Sequence, residues 1–436
     1  MLYKMINKIR TNNTLRNAYR KTINKIRTNS RVLKTYKKIN FLASVSIPEI
    51  TPFRIRKSKF DFERINILLP SINKEHRFGG ILTALILFNE IIKKMNKDTR
   101  FRIIITDGMP NKEAVNNFNS YRLLSCDDDI SERFQLLPFC DRYQKTIPVT
   151  RNDKFIATAW WTAYHVQDIL KQQSKLYDQN FHKMIYLIQD FEPCFYNWSD
   201  RYVLADLTYN SNIPTIAVFN SSFLKKFFND RRYQFQREYF FEPRMNEKLK
   251  RHFDLEKMKK IKQILIYGRP SVPRNGFILI IEALKIFARK RDDIHEWRFI
   301  SAGEQHPDVE IGDGVILKSV GKLGMDDYAK ILKESAIGIS LMVSPHPSYP
   351  PLEMAHFGIL TITNSFANKD LSKWHENITS VEILTPQNLY VYLSLLVEKY
   401  KNNSKIGLQG ESFIDYASDK IGFDFIENLL VAFRGS

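Results

Sequence analysis

The stretch ISLMVSPHPSYPPLEMAHFGILTITN, residues 339–364, is the most informative segment of this chain for its fold. An apolar run at 337–343 predicts a buried parallel strand, and a loop with four prolines follows it at 344–351. Residues 352–358 predict a helix that ends at a glycine, and the apolar run 359–363 predicts the next strand. This succession is typical of open α/β sheets, which bind ligands beyond the carboxyl ends of their strands.

The start of the predicted helix is a candidate anion site, because a helix N-terminus presents free N–H groups and the positive end of the dipole. Pro350 and Pro351 suit a first turn, where proline loses no needed hydrogen bond. Glu353 either stabilises its own helix end or accepts hydrogen bonds from ligand hydroxyls.

The length of the chain predicts two or three domains, and its charge is concentrated in residues 1–48, the basic head. The 436 residues are 44% hydrophobic, as in a globular protein, and carry a net charge of +19. Twelve Lys and Arg and no Asp or Glu lie in residues 1–48, which leaves +7 for the rest. The charge distribution therefore argues against a nucleic-acid-binding body.

The basic head repeats INKIRTN at 6–12 and 23–29, with apolar residues at helical spacing between the basic ones. This pattern predicts an amphipathic helix on an anionic membrane surface, the alternative being a solvated basic tail. Residues 47–60 contain two prolines and predict a linker. We expect no signal peptide and no spanning helix, since no apolar run is long enough. Three scattered cysteines predict neither a disulfide framework nor a zinc site and favour a reducing cytoplasm.

The loop after the predicted strand 263–267 is a candidate diphosphate site. Arg269 and Arg274 lie five positions apart in a segment bounded by glycine and proline, and planar donors on a rigid loop fit phosphate oxygens. Solvated surface arginines are the alternative. Lys322, after the predicted strand 315–320, is either a further donor contact or a surface lysine.

A second glycine-containing turn follows the predicted strand 66–69. Gly79 and Gly80 precede a predicted helix at 81–95 and allow a ligand to approach the backbone closely; a tight turn without ligand is the alternative. The segment lacks the dinucleotide fingerprint GxGxxG.

Polar and aromatic residues follow two further predicted strands. Asp190 and Glu192 come after the strand 184–188, where they bind acceptor hydroxyls or supply a general base, or else satisfy local backbone groups. Trp160 and Trp161 follow the strand 155–158 and either stack on acceptor sugars or belong to the core.

Four motifs together resemble one family: HRFGGI (76–81), YLIQDFEP (186–193), YGRPSVPRN (267–275) and SPHPSYPPLEMAHFG (344–358). The chain resembles the WsaF-type rhamnosyltransferases of bacterial polysaccharide assembly, which have the GT-B architecture. The resemblance implies an α/β fold with two Rossmann-like parallel-sheet domains facing a cleft, besides the basic extension. It implies an extension and linker at 1–59, an acceptor domain at 60–245, a donor domain at 246–410, and a helix at 411–436 that returns to the first domain.

The resemblance also implies the chemistry. A deoxyhexose, L-rhamnose from dTDP-L-rhamnose, would pass to a hydroxyl of a lipid-linked polysaccharide at the inner face of the cell membrane, without cofactor or metal. The acidic run 127–129 reads as a solvated loop rather than a metal motif. The implied donor-binding residues are Gly79, Gly80, Arg269, Arg274, Lys322, Ser348, Tyr349, Pro350, Pro351, Leu352 and Glu353.

One departure from the wider architecture leaves the stereochemistry open. Retaining enzymes of this architecture often carry two glutamates eight positions apart, and Glu353 matches the second. Pro345 stands where the first would fall. A UDP- or GDP-sugar enzyme, a non-catalytic sugar-nucleotide-binding subunit and a sugar-nucleotide epimerase remain as alternatives.

Overall fold

A computed structural model of the chain describes residues 46–74, 79–418 and 422–435. Nearly all of the predicted amphipathic head, residues 1–48, lies outside this part. The chain divides into two compact units, 1–52 and 53–436. In the described part of the first unit, Pro48–Ile50 form one turn of 3-10 helix.

The second unit is an alternating α/β structure, and its strands are named here in chain order. The strands are β1 Arg54–Lys57, β2 Arg64–Leu69, β3 Arg100–Ile105, β4 Arg122–Leu123, β5 Phe134–Pro138, β6 Thr146–Val149, β7 Asp153–Ala157, β8 Met184–Ile188, β9 Thr215–Phe219, β10 Arg237–Phe240, β11 Ile261–Gly268, β12 Arg298–Gly303, β13 Val309–Gly312, β14 Val315–Gly321, β15 Ser335–Ile339, β16 Leu360–Asn364 and β17 Ile378–Val381.

The helices connect these strands and cover the sheets. They are α1 Gly80–Lys94, α2 Lys112–Asn116, α3 Trp160–Tyr177, α4 Asp200–Leu207, α5 Ser222–Asp230, α6 Glu247–Lys250, α7 Phe277–Arg289, α8 Met325–Glu334, α9 Pro350–His356, α10 Pro386–Asn402 and α11 Ile426–Arg434. Among the described residues, no helix combines the length and apolarity needed to cross a bilayer.

The first large sheet has the order β10-β9-β8-β7-β2-β3-β5-β4. Its strands pair in parallel throughout, with Leu69 beside Ile105 at the carboxyl ends of β2 and β3. The central strands are continuous apolar runs because both faces are covered, and every residue of β8 and β9 is buried. Such runs are what the sequence predicted for a parallel sheet.

The second large sheet has the order β13-β14-β12-β11-β15-β16-β17. Only β13 among these strands runs antiparallel to its neighbour, at the edge. The strand β15 lies beside β11, so the loops after both strands emerge at the same edge of this sheet.

The C-terminal helix α11 packs against the first sheet rather than the second. Its buried residues belong to the same apolar cluster as Ile65 and Ile103 of the first sheet. Lys154 donates to the carbonyl of Phe433 over 3.2 Å, and Arg434 pairs with Glu63 at 3.1 Å.

The small sheet of β1 and β6 changes one expectation. Residues 54–57 belong to the predicted linker, yet they pair in parallel with Thr146–Val149. Phe53, just before β1, is fully buried and packs on Phe139 with ring centroids 4.7 Å apart. Apolar burial therefore ties this end of the linker to the first sheet.

Candidate active site

The carboxyl ends of the two large sheets meet, and the contact between Asp190 and Ser344 marks the junction. Asp190 follows β8 of the first sheet, and Ser344 follows β15 of the second. The Ser344 hydroxyl donates to Asp190 Oδ1, which also accepts the N–H of Phe191 at 2.8 Å. The predicted carboxylate therefore lies where the two sheets face each other.

Arg274 makes a second contact across the junction. Its guanidinium lies over the ring of Phe195, 4.0 Å from the centroid, in a cation–π arrangement. Its Nε is buried and has no hydrogen-bond partner among the described residues. An unpaired buried donor is costly, so an anion bound here would complete the hydrogen bonding of this side chain.

The loop carrying Arg269 and Arg274 is held in a fixed shape by neighbouring side chains. Glu304 accepts from the N–H and the hydroxyl of Ser271 at 3.0 and 2.8 Å. Gly268 ends β11, and a Cβ there would lie 1.9 Å from Ser301 Oγ, so only glycine fits beside the next strand. The two arginines are thereby presented at the end of β11, as the sequence predicted.

Two basic groups without a predicted role interact electrostatically with Asp190. Lys369 is fully buried and donates to the carbonyl of Met342 over 2.6 Å. Burial lowers the pKa of Lys369 to about 7, although the charge of Asp190 acts in the opposite direction. Burial likewise lowers the pKa of His346 to about 4, against the opposing effect of Asp190.

The tautomer of His346 follows from its hydrogen bond. Its Nδ1 accepts the N–H of Ser348 at 2.9 Å, so the neutral ring carries its proton on Nε2. Ser348 has a φ of +70°, a left-handed conformation that a serine adopts at a cost. The proline-containing loop is therefore held in one shape, and its neutral imidazole carries an N–H donor on Nε2.

Glu353 and Tyr349 tie the start of α9 to other elements. Tyr328 of α8 donates to Glu353 Oε2 at 3.0 Å, and burial raises the pKa of Glu353 to about 7 despite this bond. The side chain of Tyr349 forms a hydrogen bond with that of Thr83 in α1, the helix that follows β2 of the first sheet. α9 begins at Pro350 rather than at the predicted residue 352.

The prolines reduce what this helix start offers an anion. Pro350 and Pro351 have no N–H, and Glu353 N–H already bonds the carbonyl of Tyr349 at 2.9 Å. Of the first three residues, only Leu352 carries an N–H, and its side chain is fully buried. The two arginines therefore supply more of the positive charge at this edge than the N-terminus of α9 does.

The second predicted carboxylate, Glu192, faces the protein interior. It accepts the N–H of Trp160 at the start of α3 and lies 3.4 Å from the hydroxyl of Tyr186. Burial raises the pKa of Glu192 to about 8, so this group is largely protonated at neutral pH. These contacts favour the local-backbone alternative for Glu192, whereas Asp190 lies at the junction.

The tryptophan pair also needs correction. Trp160 is fully buried, and its Nε1 donates to the hydroxyl of Tyr196 at 2.9 Å. It has no exposed ring face to stack on a sugar, so the core alternative holds for this residue. Trp161 packs edge-on against Trp160, 5.8 Å between centroids, and is half-buried.

The other predicted residues lie around this junction or away from it. Gly79 has a φ of +51°, and a Cβ on Gly80 would lie 2.9 Å from Gln189 Oε1, so this turn contacts the end of β8. Residues 75–78 of the same motif lie outside the described part. Lys322 is exposed after β14. In the acidic run, Asp129 accepts from Ser58 and from the backbone of Lys59.

Two Rossmann-like sheets whose carboxyl ends face each other define the GT-B fold class. The structures of TarM and of Anabaena HepE in complex with UDP share it, with TM-scores of 0.51 and 0.50 at 10% and 11% identity. They cover 86% and 85% of this chain, and 99% and 98% of their own. Identities this low show the fold alone.

The sequence identifies the family. The WsaF N-terminal domain model matches residues 64–222, and the WsaF C-terminal domain model matches residues 262–394. Together they cover more than half of the chain, which therefore belongs to the WsaF family. The O-antigen biosynthesis protein RfbC of Myxococcus xanthus is 27% identical over 243 residues, or 56% of this chain. The match covers only 16% of the length of that relative.

Proposed function

We propose that this protein is a glycosyltransferase that moves a sugar from a nucleotide donor to a hydroxyl of a polysaccharide. The observation that carries the proposal is that Arg274 and Asp190 both lie at the junction of the two sheets, Arg274 over Phe195 and Asp190 bonded to Ser344. One group fits the leaving diphosphate and the other fits the attacking hydroxyl. Membership of the WsaF family and the O-antigen name of the Myxococcus relative support this assignment.

The arginines act on the leaving group. Negative charge grows on the diphosphate as the bond to the anomeric carbon breaks, and fixed donors lower the energy of that transition state. Arg274 is already held over Phe195, so little reorganisation is needed when the charge develops. Arg269 adds a second guanidinium from the same loop. On this proposal the two arginines can neutralise the diphosphate without a metal.

Asp190 acts on the attacking hydroxyl. Its Oδ1 accepts from Ser344 and from the N–H of Phe191, which orient the carboxylate, and on this proposal Oδ2 contacts the acceptor hydroxyl. An oriented carboxylate can accept the proton that the hydroxyl loses during transfer. The charge of Asp190 acts in turn on two basic groups of the other sheet, Lys369 and His346, and opposes the lowering of their pKa by burial.

The donor we propose is dTDP-L-rhamnose, with a UDP- or GDP-sugar as the alternative. Rhamnose rests on the resemblance of the four motifs to the WsaF-type rhamnosyltransferases, and UDP is the nucleotide in the HepE structure. A panel of sugar nucleotides, with release of each nucleoside diphosphate measured by chromatography, separates these donors. Turnover of dTDP-L-rhamnose alone is expected. Turnover of a UDP- or GDP-sugar instead would reject rhamnose.

The acceptor we propose is a lipid-linked glycan, reached at the inner face of the membrane through residues 1–48. Their twelve basic residues and helical apolar spacing support this attachment. Deleting residues 1–48 is expected to release the protein from sedimenting anionic liposomes while leaving donor hydrolysis unchanged. If the shortened protein still sediments with those liposomes, another surface attaches it.

A further inference from the structure

A group of partly or largely exposed aromatic residues lies beside the candidate active site, in the segment that runs from the end of β8 into α4. It consists of Phe195, Trp198 and Tyr202, and we refer to these residues as the aromatic shelf. The side chain of Trp198 is 88% exposed. Its ring lies 4.8 Å from that of Tyr202, with 33° between the planes. Large exposed aromatic groups of this kind mark binding surfaces.

One residue of the shelf also belongs to the candidate active site. Its inner residue, Phe195, is the ring over which Arg274 lies. The next residue, Tyr196, accepts the indole N–H of Trp160, which fixes this part of the segment to α3. On the outer side, Val203 and Leu207 of α4 are 55% and 56% exposed and extend the apolar surface away from the junction.

The chemistry of the shelf fits a carbohydrate better than a lipid surface. α4 carries Asp200, Arg201 and Asp206 and therefore has a net charge of −1, so it offers an anionic membrane no cluster of basic residues. A neutral glycan offers C–H faces that pack on aromatic rings, and hydroxyls that donate to carboxylates. Asp206 already accepts from the hydroxyl of Tyr233, which holds its carboxylate in place beside Tyr202.

We propose that the aromatic shelf binds sugar rings of the acceptor glycan and leads its terminal hydroxyl toward Asp190. The proposal rests on the glycosyltransferase function and assigns the acceptor subsite that Trp160, being buried, cannot provide. Trp198 and Tyr202 are the stacking residues. Val203 and Leu207 mark the path along which the glycan leaves the site.

Trp198 is itself a reporter of binding, because it is by far the most exposed of the described tryptophans. Acrylamide quenching of tryptophan fluorescence should therefore report mainly on this residue. Linear rhamnose and glucose oligosaccharides are expected to protect it from quenching. Trp198→Ala should remove the quenchable fraction of the fluorescence. It should also weaken oligosaccharide binding, measured by calorimetry, by about tenfold, which is the scale of one stacking contact. Trp198→Phe keeps a ring and should retain most of the affinity.

Tyr143→Ala is the matched control, since Tyr143 is an aromatic residue 72% exposed elsewhere in the chain, and it should bind oligosaccharides as the wild type does. Nucleoside diphosphate binding and donor hydrolysis are measured in every variant. If Trp198→Ala keeps nucleoside diphosphate binding and donor hydrolysis and also binds oligosaccharides as the wild type does, the shelf proposal is wrong and the proposed function stands. If Trp198→Ala instead no longer binds anionic liposomes but still binds oligosaccharides, the shelf is a membrane contact and the proposal is also wrong.

Discussion

Replacing Arg274 with alanine is expected to lower kcat/KM for sugar transfer by about 10²–10³-fold, the effect of removing one preorganised donor from a developing negative charge. The loss should come without unfolding, because Arg274 as a residue is only half-buried and its Nε has no hydrogen-bond partner to lose among the described residues. Initial rates of nucleoside diphosphate release and a thermal melt measure both properties.

Two further variants sharpen this prediction. Arg274→Lys keeps a positive charge but loses the planar group that stacks on Phe195, so an intermediate rate is expected. Arg289→Ala removes an exposed arginine of α7 that bonds its own helix at Lys285, and it should leave the rate unchanged. Equal rates for Arg274→Ala and wild type would show that this arginine does not touch the leaving group.

Asp190→Asn is expected to lower kcat by about 10²–10⁴-fold, the contribution of a general base, while leaving nucleoside diphosphate affinity unchanged. Asparagine keeps the oxygen that accepts from Ser344 and from the N–H of Phe191, so the junction should persist. What it lacks is the negative charge that takes the proton. Single-turnover kinetics together with calorimetry separate these two effects.

Glu192→Gln provides the comparison for Asp190. Burial raises the pKa of Glu192 to about 8, so glutamine resembles its predominant neutral form and still accepts the N–H of Trp160. We therefore expect near-normal turnover for Glu192→Gln at neutral pH. If Glu192→Gln loses turnover and Asp190→Asn keeps it, the roles of the two carboxylates are the reverse of those proposed.

The sequence predicted the central strands well, for a physical reason. Met184–Ile188 matches its predicted bounds, because a parallel strand covered on both faces is an uninterrupted apolar run between polar residues. The short strands β10, β13 and β17 were not predicted. They lie at or near sheet edges and are only partly buried, so their sequences lack that signal.

The strand before the proline-containing loop shows how an apolar run can give the wrong strand boundaries. The prediction placed it at 337–343, whereas β15 is Ser335–Ile339. Leu341 and Met342 are buried, yet Met342 bonds the side chain of Asn364 through both its N–H and its carbonyl, at 2.7 and 3.1 Å. A side-chain amide has replaced the strand ladder there, which an apolar run does not reveal.

The candidate site was predicted in part. Arg269 and Asp190 lie one and two residues after the ends of β11 and β8, and Arg274 lies in the same loop as Arg269, so the rule that ligands bind beyond the carboxyl ends of parallel strands finds all three. Lys369 lies five residues after β16, and the same rule would have included it. Phe195 and Trp198 had no such signal, because their importance depends on contacts and exposure that only the folded chain defines.

Calorimetric titration of the wild type and of Arg274→Ala with dTDP, UDP, GDP and CMP tests whether the junction of the two sheets binds a nucleoside diphosphate. We expect the wild type to bind one nucleoside diphosphate selectively, dTDP on the rhamnose proposal, and Arg274→Ala to bind it at least about tenfold more weakly. Selective binding of UDP or GDP would keep the glycosyltransferase and change its donor. A folded wild-type protein that binds none of the four would contradict the assignment of this junction as a nucleotide-sugar site.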